Sequence, residues 1–272
     1  MSTAEHLRKR LDGGGILSAP GVYDALTAKL AQAAGFAVVY MTGYGTAAAH
    51  GHADVGILGL EEMAANVERI ARAVSVPLIA DADTGYDNVA ETIAWYETAG
   101  AAGLHLEDQS WPKKCGHMDD KSLIPLDDMV AKLRAAAAAR TNCETVIVAR
   151  TDAIAVEGFD SALQRAAAYA KAGADMLFVE APTTGEQIEA IPRELPGIPH
   201  IYNIAPKSPG IAIEELDRLG YALAIFPGIC FTATMRACQT ALADLRSSGL
   251  QANLPEWREQ FDAWNRFLEP DE

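Results

Sequence analysis

Short apolar runs and helix-like segments take turns along almost the whole chain. The apolar runs are Ile16–Pro20, Ala37–Thr42, Pro77–Asp83, Gly103–Asp108, Thr145–Thr151, Met176–Ala181, His200–Ile204 and Tyr221–Pro227. Each has the length of a strand, and most are rich in Val, Ile or Leu. Their apolarity is continuous rather than alternating, which suits strands covered on both faces. Helical patterns fill the gaps, over Ala25–Ala34, Leu60–Val74, Asn88–Ala99, Leu126–Ala139, Phe159–Ala172, Thr184–Ile191 and Ile211–Leu219. Gly35, Gly100, Gly173 and Gly220 stand just past four of them. A left-handed helix cap favours a residue without Cβ at that place.

Eight strand candidates separated by helices predict an α/β fold, a (β/α)8 TIM barrel, in a single domain over residues 1–272. A doubly wound sheet commonly has fewer strands and a Gly-rich nucleotide turn. No G-x-G-x-x-G follows the first apolar run, and Gly13–Gly15 precede it. The opening MSTAEHLRKRLD reads as a short first helix. After the eighth run, Ile229–Leu245 is long enough to be the eighth barrel helix, and residues 250–272 form a terminal helical extension. Within it, Leu254–Phe267 presents Trp257, Phe261, Trp264 and Phe267 on one face. A complete ring of helices leaves that face no place of its own, so a partner subunit is its expected cover.

Composition narrows the setting. The chain carries 22 Lys+Arg against 37 Asp+Glu, a net charge of −15. That charge opposes nonspecific binding to nucleic acid or to an anionic membrane. It does not oppose small anionic substrates, which a locally positive or metal-holding pocket can take. Half of the residues are hydrophobic, so the chain can bury a full core. No run approaches the roughly 18 apolar residues of a membrane span, and the N-terminus has no apolar signal-peptide core. Cys115, Cys143, Cys230 and Cys238 form no close C-x-x-C pair. Free thiols in a cytoplasmic protein are the expectation.

The chemistry concentrates at the C-terminal ends of the predicted strands, the rim on which barrels assemble their sites. Thr42, Asp81, Asp83, Glu107, Asp108, Arg150, Asp152, Glu180 and Asn203 all fall there. Asp81 and Asp83 are two positions apart, so on a strand their side chains share a face. With Glu107 from the next strand they make a hard-oxygen set of the kind that suits Mg²⁺, and Asp54 could meet its water shell. Simple turn capping by the same Asp residues is the competing reading. His50 and His52 flank Gly51 but are too few to demand zinc. The segment Glu107–Lys121, EDQSWPKKCGHMDDK, is longer than a tight βα turn and suits a mobile active-site loop. Lys113, Lys114 and His117 surround Cys115, and neighbouring positive charge favours a thiolate. A surface cysteine without a role is the alternative. Arg150, at the end of an apolar strand, needs an anion: a substrate carboxylate or a rim acid.

These residues carry a resemblance. YMTGYGTAAAHGHADVG at 40–56, DADTGY at 81–86, GLHLEDQ at 103–109, KKCGH at 113–117, ARTDA at 149–153 and VEA at 179–181 resemble the isocitrate lyase / phosphoenolpyruvate mutase superfamily. They lie on the side of the 2-methylisocitrate lyases and related short carbon–carbon lyases, and the likeness runs from about Gly15 to about Ala237. It implies an Mg²⁺-dependent lyase, with Mn²⁺ a possible substitute. The substrate it implies is a 2-hydroxy di- or tricarboxylate, cleaved at C2–C3 to a 2-oxoacid and a carboxylate. By resemblance Asp81 is the direct metal ligand, and Asp83 and Glu107 ligate or hold waters. Asp54 is then a further member of the metal's surroundings. Cys115 is the catalytic cysteine, with Gly116 and His117 as its substrate-contacting neighbours. Tyr40, Thr42, Gly43 and Tyr44 receive a substrate carboxylate and nearby oxygens. Arg150 binds a carboxylate, and Glu180 and Asn203 surround the substrate's far end. Tyr40 and the rim acids are the candidate bases.

The resemblance also implies a cytoplasmic homotetramer with an exchanged terminal helix. NIAPKSPGI at 203–211 departs from the N-x-x-x-x-G-x-T-P of methylisocitrate lyases and puts Lys207, Ser208 and Pro209 in the substrate-facing region. MTGYG likewise replaces SGGG. These departures tilt the expectation toward an alkyl-substituted malate. Oxaloacetate hydrolysis or decarboxylation is the near alternative, and an inactive metabolite-binding barrel is the distant one.

Overall fold

A computed structural model of the chain describes residues 1–116 and 120–269. Its elements follow in the order α1 (Thr3–Asp12), β1 (Leu17–Val22), α2 (Ala25–Ala33), β2 (Val39–Met41), α3 (Gly43–Ala49), α4 (Leu60–Ala73), β3 (Leu78–Asp81), α5 (Val89–Ala99), β4 (Gly103–Glu107), α6 (Leu126–Ala139), β5 (Val146–Thr151), α7 (Ala153–Glu157), α8 (Phe159–Lys171), β6 (Met176–Val179), α9 (Gly185–Glu194), β7 (His200–Asn203), α10 (Ile213–Leu219), β8 (Leu223–Phe226), α11 (Ile229–Ser248) and α12 (Leu254–Leu268). The strands close into one parallel barrel in chain order, with β1 against β8 from Leu17↔Leu223 to Pro20↔Phe226. The predicted (β/α)8 barrel with added C-terminal helices is therefore the fold.

The continuous apolar runs divide by parity. Tyr40, Ile79, Val146, Val148, Met176, Phe178 and Ile201 fill the barrel interior. Their neighbours Val39, Met41, Leu78, Ala80, Ile147, Ala149 and Leu177 pack outward on the helices. Alternate side chains thus both find apolar cover, as strands buried on both faces require. α1 plugs the N-terminal end. Ala4 and Leu7 join the interior cluster, and Arg8 donates from Nε to Glu144 O at 2.9 Å and pairs with Asp175 at 2.9 Å. The end left open is the one that carries the strand C-termini.

Three features differ from the sequence reading. First, β3 stops at Asp81, and Asp83 lies beyond it at φ +50°. The two carboxylates meet through a left-handed turn, which Asp tolerates, and the Asp83 N–H donates to Asp81 Oδ1 at 3.0 Å. Strand alternation does not bring them together. Second, α3 and α7 are unanticipated short helices. GYGTAAA has no apolar period to announce α3, but Thr42 caps it by accepting from the Gly45 N–H at 3.3 Å. Third, α11, expected to complete the ring of helices, buries no residue, while α12 buries none either, as expected of the extension. The first turns of α11 meet the barrel, where Phe231 stands edge-on to Tyr23 and Tyr44 and the Tyr23 hydroxyl donates to Thr234 Oγ1 at 2.8 Å. Trp257, Phe261 and Trp264 stay 43%, 51% and 44% exposed, which a helix packed within its own chain would not show.

Candidate active site

A cavity of about 430 Å³ opens at the C-terminal mouth of the barrel. Tyr40, Thr42, Tyr44, Asp54, Asp81, Glu107, Cys115, Gly116, Arg150, Glu180 and Asn203 all line it. Gly43 and Asp83 touch that lining rather than form it. The Gly43 N–H donates to Asp81 Oδ2 at 3.2 Å, and a Cβ at position 43 would collide with the Asp81 carboxylate. His117 lies outside the described residues. His50 and His52 do not border the cavity.

The acids form one buried group. Lys113 Nζ sits 2.5 Å from both Asp54 Oδ1 and Asp83 Oδ1, and strand register places Asp81 beside His105 and Glu107 beside Arg150. Burial pushes the Asp81 carboxyl up, but His105, Lys113 and Arg150 together outweigh it and hold it well below the usual carboxylate range. Burial pushes Asp83 up to about 6, with Lys113 opposing and Asp81 and Asp54 adding to the rise. Burial also raises Glu107 well above its ordinary value, against the pull of Arg150. Glu107 Oε1 is buried and accepts no hydrogen bond from the described residues. A hard cation suits such oxygens. Among the described residues no three His, Cys, Asp or Glu are drawn together tightly enough to enclose a metal. A cation here would therefore rest on one or two carboxylates, with water completing its shell, an arrangement Mg²⁺ accepts.

Arg150 borders this group. Its Nε and Nη2 donate to the two Asp152 oxygens at 2.9 and 3.1 Å, and Glu107 and Glu180 stand 3.4 and 3.6 Å away. Its guanidinium lies 5.1 Å from the centre of the Phe178 ring. A rim acid therefore pairs with this arginine, which also lines the cavity. Burial pushes Asp152 up, but Arg150 and Lys121 prevail and hold it at about 2. A carboxylate depressed in the fold stabilises it above its unfolded pKa and loses that contribution as pH falls. Asp152 is expected to contribute about 2 kcal/mol at neutral pH, lost between about pH 4 and about pH 2. Acid unfolding of Asp152→Asn, followed by circular dichroism, should lack that part of the transition. An unchanged transition would overturn the assignment.

Several residues of the site escaped the sequence reading. His105 Nε2 lies 2.7 Å from the Tyr40 hydroxyl and 3.2 Å from Asp81 Oδ1, while its Nδ1 is buried without a partner among the described residues. His105 thus links the Tyr40 hydroxyl to the Asp81 carboxylate. Burial, with Asp81 adding, raises the Tyr40 pKa well above its usual value, so the hydroxyl keeps its proton. The signal for His105 was available: it precedes Glu107 by two positions on one strand and shares its inward face. Lys113 was visible within KKCGH. The Lys121 link to Asp152, at 2.9 Å, joins segments that no local pattern connects.

The far wall is apolar: Ile204, Ala205, Pro206, Phe226, Pro227 and Ile229. Lys207, Ser208 and Pro209 do not border the cavity, contrary to the expectation from their position. Their stretch folds back on β7, where Ser208 Oγ donates to Asn203 O at 2.7 Å and the Tyr202 hydroxyl to Pro209 O at 2.9 Å.

Comparison with known proteins gives the family. Residues 7–246 match the phosphoenolpyruvate phosphomutase family. The chain is 42% identical over 254 residues to the 2,3-dimethylmalate lyase of Eubacterium barkeri, covering 90% of this chain and 85% of that one. It is 40% identical over 253 residues to the 2-methylisocitrate lyase of Aeropyrum pernix, covering 91% and 81%. The structure of oxaloacetate acetylhydrolase in complex with the inhibitor 3,3-difluorooxalacetate superposes with a TM-score of 0.89 at 35% identity, over 92% of this chain and 88% of that one. The chain thus belongs to the phosphoenolpyruvate mutase/isocitrate lyase superfamily, on its 2-methylisocitrate lyase-like branch, and is a carbon–carbon lyase.

Proposed function

We propose that the enzyme cleaves the C2–C3 bond of a 2-hydroxy di- or tricarboxylate of the 2-alkylmalate or 2-methylisocitrate type. The products are a 2-oxoacid, pyruvate for a 2-methyl substrate, and a smaller carboxylate. What carries the reading is the meeting of a carboxylate-binding arginine, a cluster of buried acids and the Cys115 loop around one cavity.

Asp81 would hold Mg²⁺, for which Mn²⁺ can substitute, with Glu107, Asp83 and Asp54 placed to hold the ion's waters. When bound, the ion lowers the cost of negative charge on the substrate's 2-oxygen and adjacent carboxylate. Arg150 binds a carboxylate through the guanidinium edge that Asp152 does not take. Thr42, Gly43 and Tyr44 flank the same end of the substrate, and the Tyr40 hydroxyl donates to an oxygen there. Glu180 is the rim carboxylate that lines the cavity outside the Asp81 group, held by the Ala181 N–H at 2.9 Å and Asn203 Nδ2 at 3.1 Å. It takes the 2-hydroxyl proton. The C2–C3 electron pair passes to C3 as the C2 carbonyl forms, and the Cys115 thiol gives its proton to C3. Glu180 has gained one proton and Cys115 has lost one, so the protein's proton count is unchanged. Gly116 lets the loop lie close, since a Cβ there would collide with Arg150. His117, outside the described residues, follows it as a further substrate contact.

The test is a Mg²⁺-supplemented panel of 2,3-dimethylmalate, 2-methylisocitrate and oxaloacetate, with 2-oxoacid and oxalate measured separately. Pyruvate from either of the first two supports the reading. Oxalate with acetate from oxaloacetate alone would replace it by a hydrolase, and binding of all three without turnover by a metabolite-binding barrel.

We further propose a homotetramer in which the aromatic face of α12 is covered by a neighbouring subunit, supported by the exposure of Trp257, Phe261 and Trp264. Deleting residues 250–272 should lower the mass measured by light scattering. An unchanged mass would reject that role for the extension.

A further inference from the structure

The Cys115 loop is pinned at its base and at three consecutive residues. At the base, Gln109 and Leu123 form an antiparallel bridge, the Ser110 N–H donates to Ser122 O at 2.8 Å, and the Ile124 N–H donates to Asp108 O at 2.9 Å. Nearer the thiol there are three anchors, one from the segment after α3 and two from the ends of the loop itself. The Cys115 N–H donates to Asp54 O at 3.2 Å. Lys121 Nζ donates to Gly116 O while paired with Asp152. For Lys114 the anchor is one carboxamide: its N–H donates to Gln109 Oε1 at 2.9 Å, and its carbonyl accepts from Gln109 Nε2 at 2.8 Å.

Gln109 itself is only 1% exposed and stands two residues beyond β4, on the rigid wall that also carries Glu107. A carboxamide is the one neutral side-chain group of that length that both accepts an N–H and donates to a carbonyl. It therefore acts as a two-point clamp on the residue immediately before the thiol. Displacement of a reacting group by about 1 Å can cost about a hundredfold in rate, so a clamp at this place bears directly on proton delivery.

We propose that Gln109 is a positioning residue for the proton donor: its carboxamide holds both backbone polar groups of Lys114 and so sets Cys115 over the cavity. The proposal rests on Cys115 being that donor. Gln109→Met removes both bonds at similar volume. It should lower kcat about tenfold to a hundredfold and leave KM within about threefold, because carboxylate binding is untouched. Iodoacetamide labelling of Cys115, read by peptide mass spectrometry without substrate, should become severalfold faster as the loop loosens.

A wild-type kcat with a wild-type labelling rate in Gln109→Met would overturn the proposal. Cys115→Ser cleaving at the wild-type rate would instead sink the proposed mechanism. The labelling arm would then still decide whether Gln109 holds the thiol.

Discussion

Cys115→Ser is expected to slow substrate cleavage by about 10²- to 10⁴-fold, the range over which a positioned proton donor acts. A serine hydroxyl fills the same place but gives up its proton far less readily than a thiol, whose unperturbed pKa is about 8.5. Carbanion formation at C3 then has no partner to drive it forward. Because Cys115 is held on the loop rather than in the carboxylate-binding floor, KM should change little. The loss should appear equally in kcat and kcat/KM, the mark of a group used only in the transition state. A second readout is independent of cleavage: exchange of the product carboxylate's α-protons with deuterium from solvent, in the presence of pyruvate, should disappear with the thiol. A Cys115→Ser enzyme that keeps wild-type kcat would remove the cysteine from the mechanism.

Arg150→Met should cost both function and stability. Arg150 neutralises three buried acids at once, Asp152 in a two-pronged pair and Glu107 and Glu180 at longer range. Removing one partner of a buried ion pair leaves uncompensated charge and costs about 3–5 kcal/mol. For a chain of this size that is a fall in Tm on the order of 10 °C. The penalty should shrink as pH falls, because protonation relieves the stranded carboxylates. Arg150→Lys separates the two effects. It restores a positive charge and much of the stability, yet lacks the planar fork that matches a carboxylate, so its defect should remain in KM. Calorimetry across pH with steady-state kinetics decides it: an Arg150→Met protein as stable as wild type would contradict the pairing described here.

The rim residues were readable because a parallel barrel places every strand end on one face, whatever their distance in the chain. Thr42, Asp81, Glu107, Arg150, Glu180 and Asn203 needed only their position at the end of an apolar run to be nominated, and all line one cavity. The reading faltered where side chains act by turning back. Asp83 reaches Asp81 through a left-handed turn rather than along a strand. Ser208 and Pro209 are close in sequence to lining residues but turn back on β7. His105 was hidden inside an apolar run whose inward parity it shares with Glu107.

By itself the sequence determined the eightfold strand–helix order, the ends at which the chemistry collects and the acid, arginine and cysteine types found there. Hydrophobic periodicity and strand polarity are properties of the chain alone, so these could be read before any contact was known. The tertiary structure alone decided that Lys113 bridges Asp54 and Asp83, that His105 links Tyr40 to Asp81, and that Lys121 and Gln109 pin the residues on either side of Cys115. Each of these depends on the packing of segments against one another at a spacing of a few ångströms. Local pattern holds no information about which donor will lie nearest which acceptor once the barrel closes.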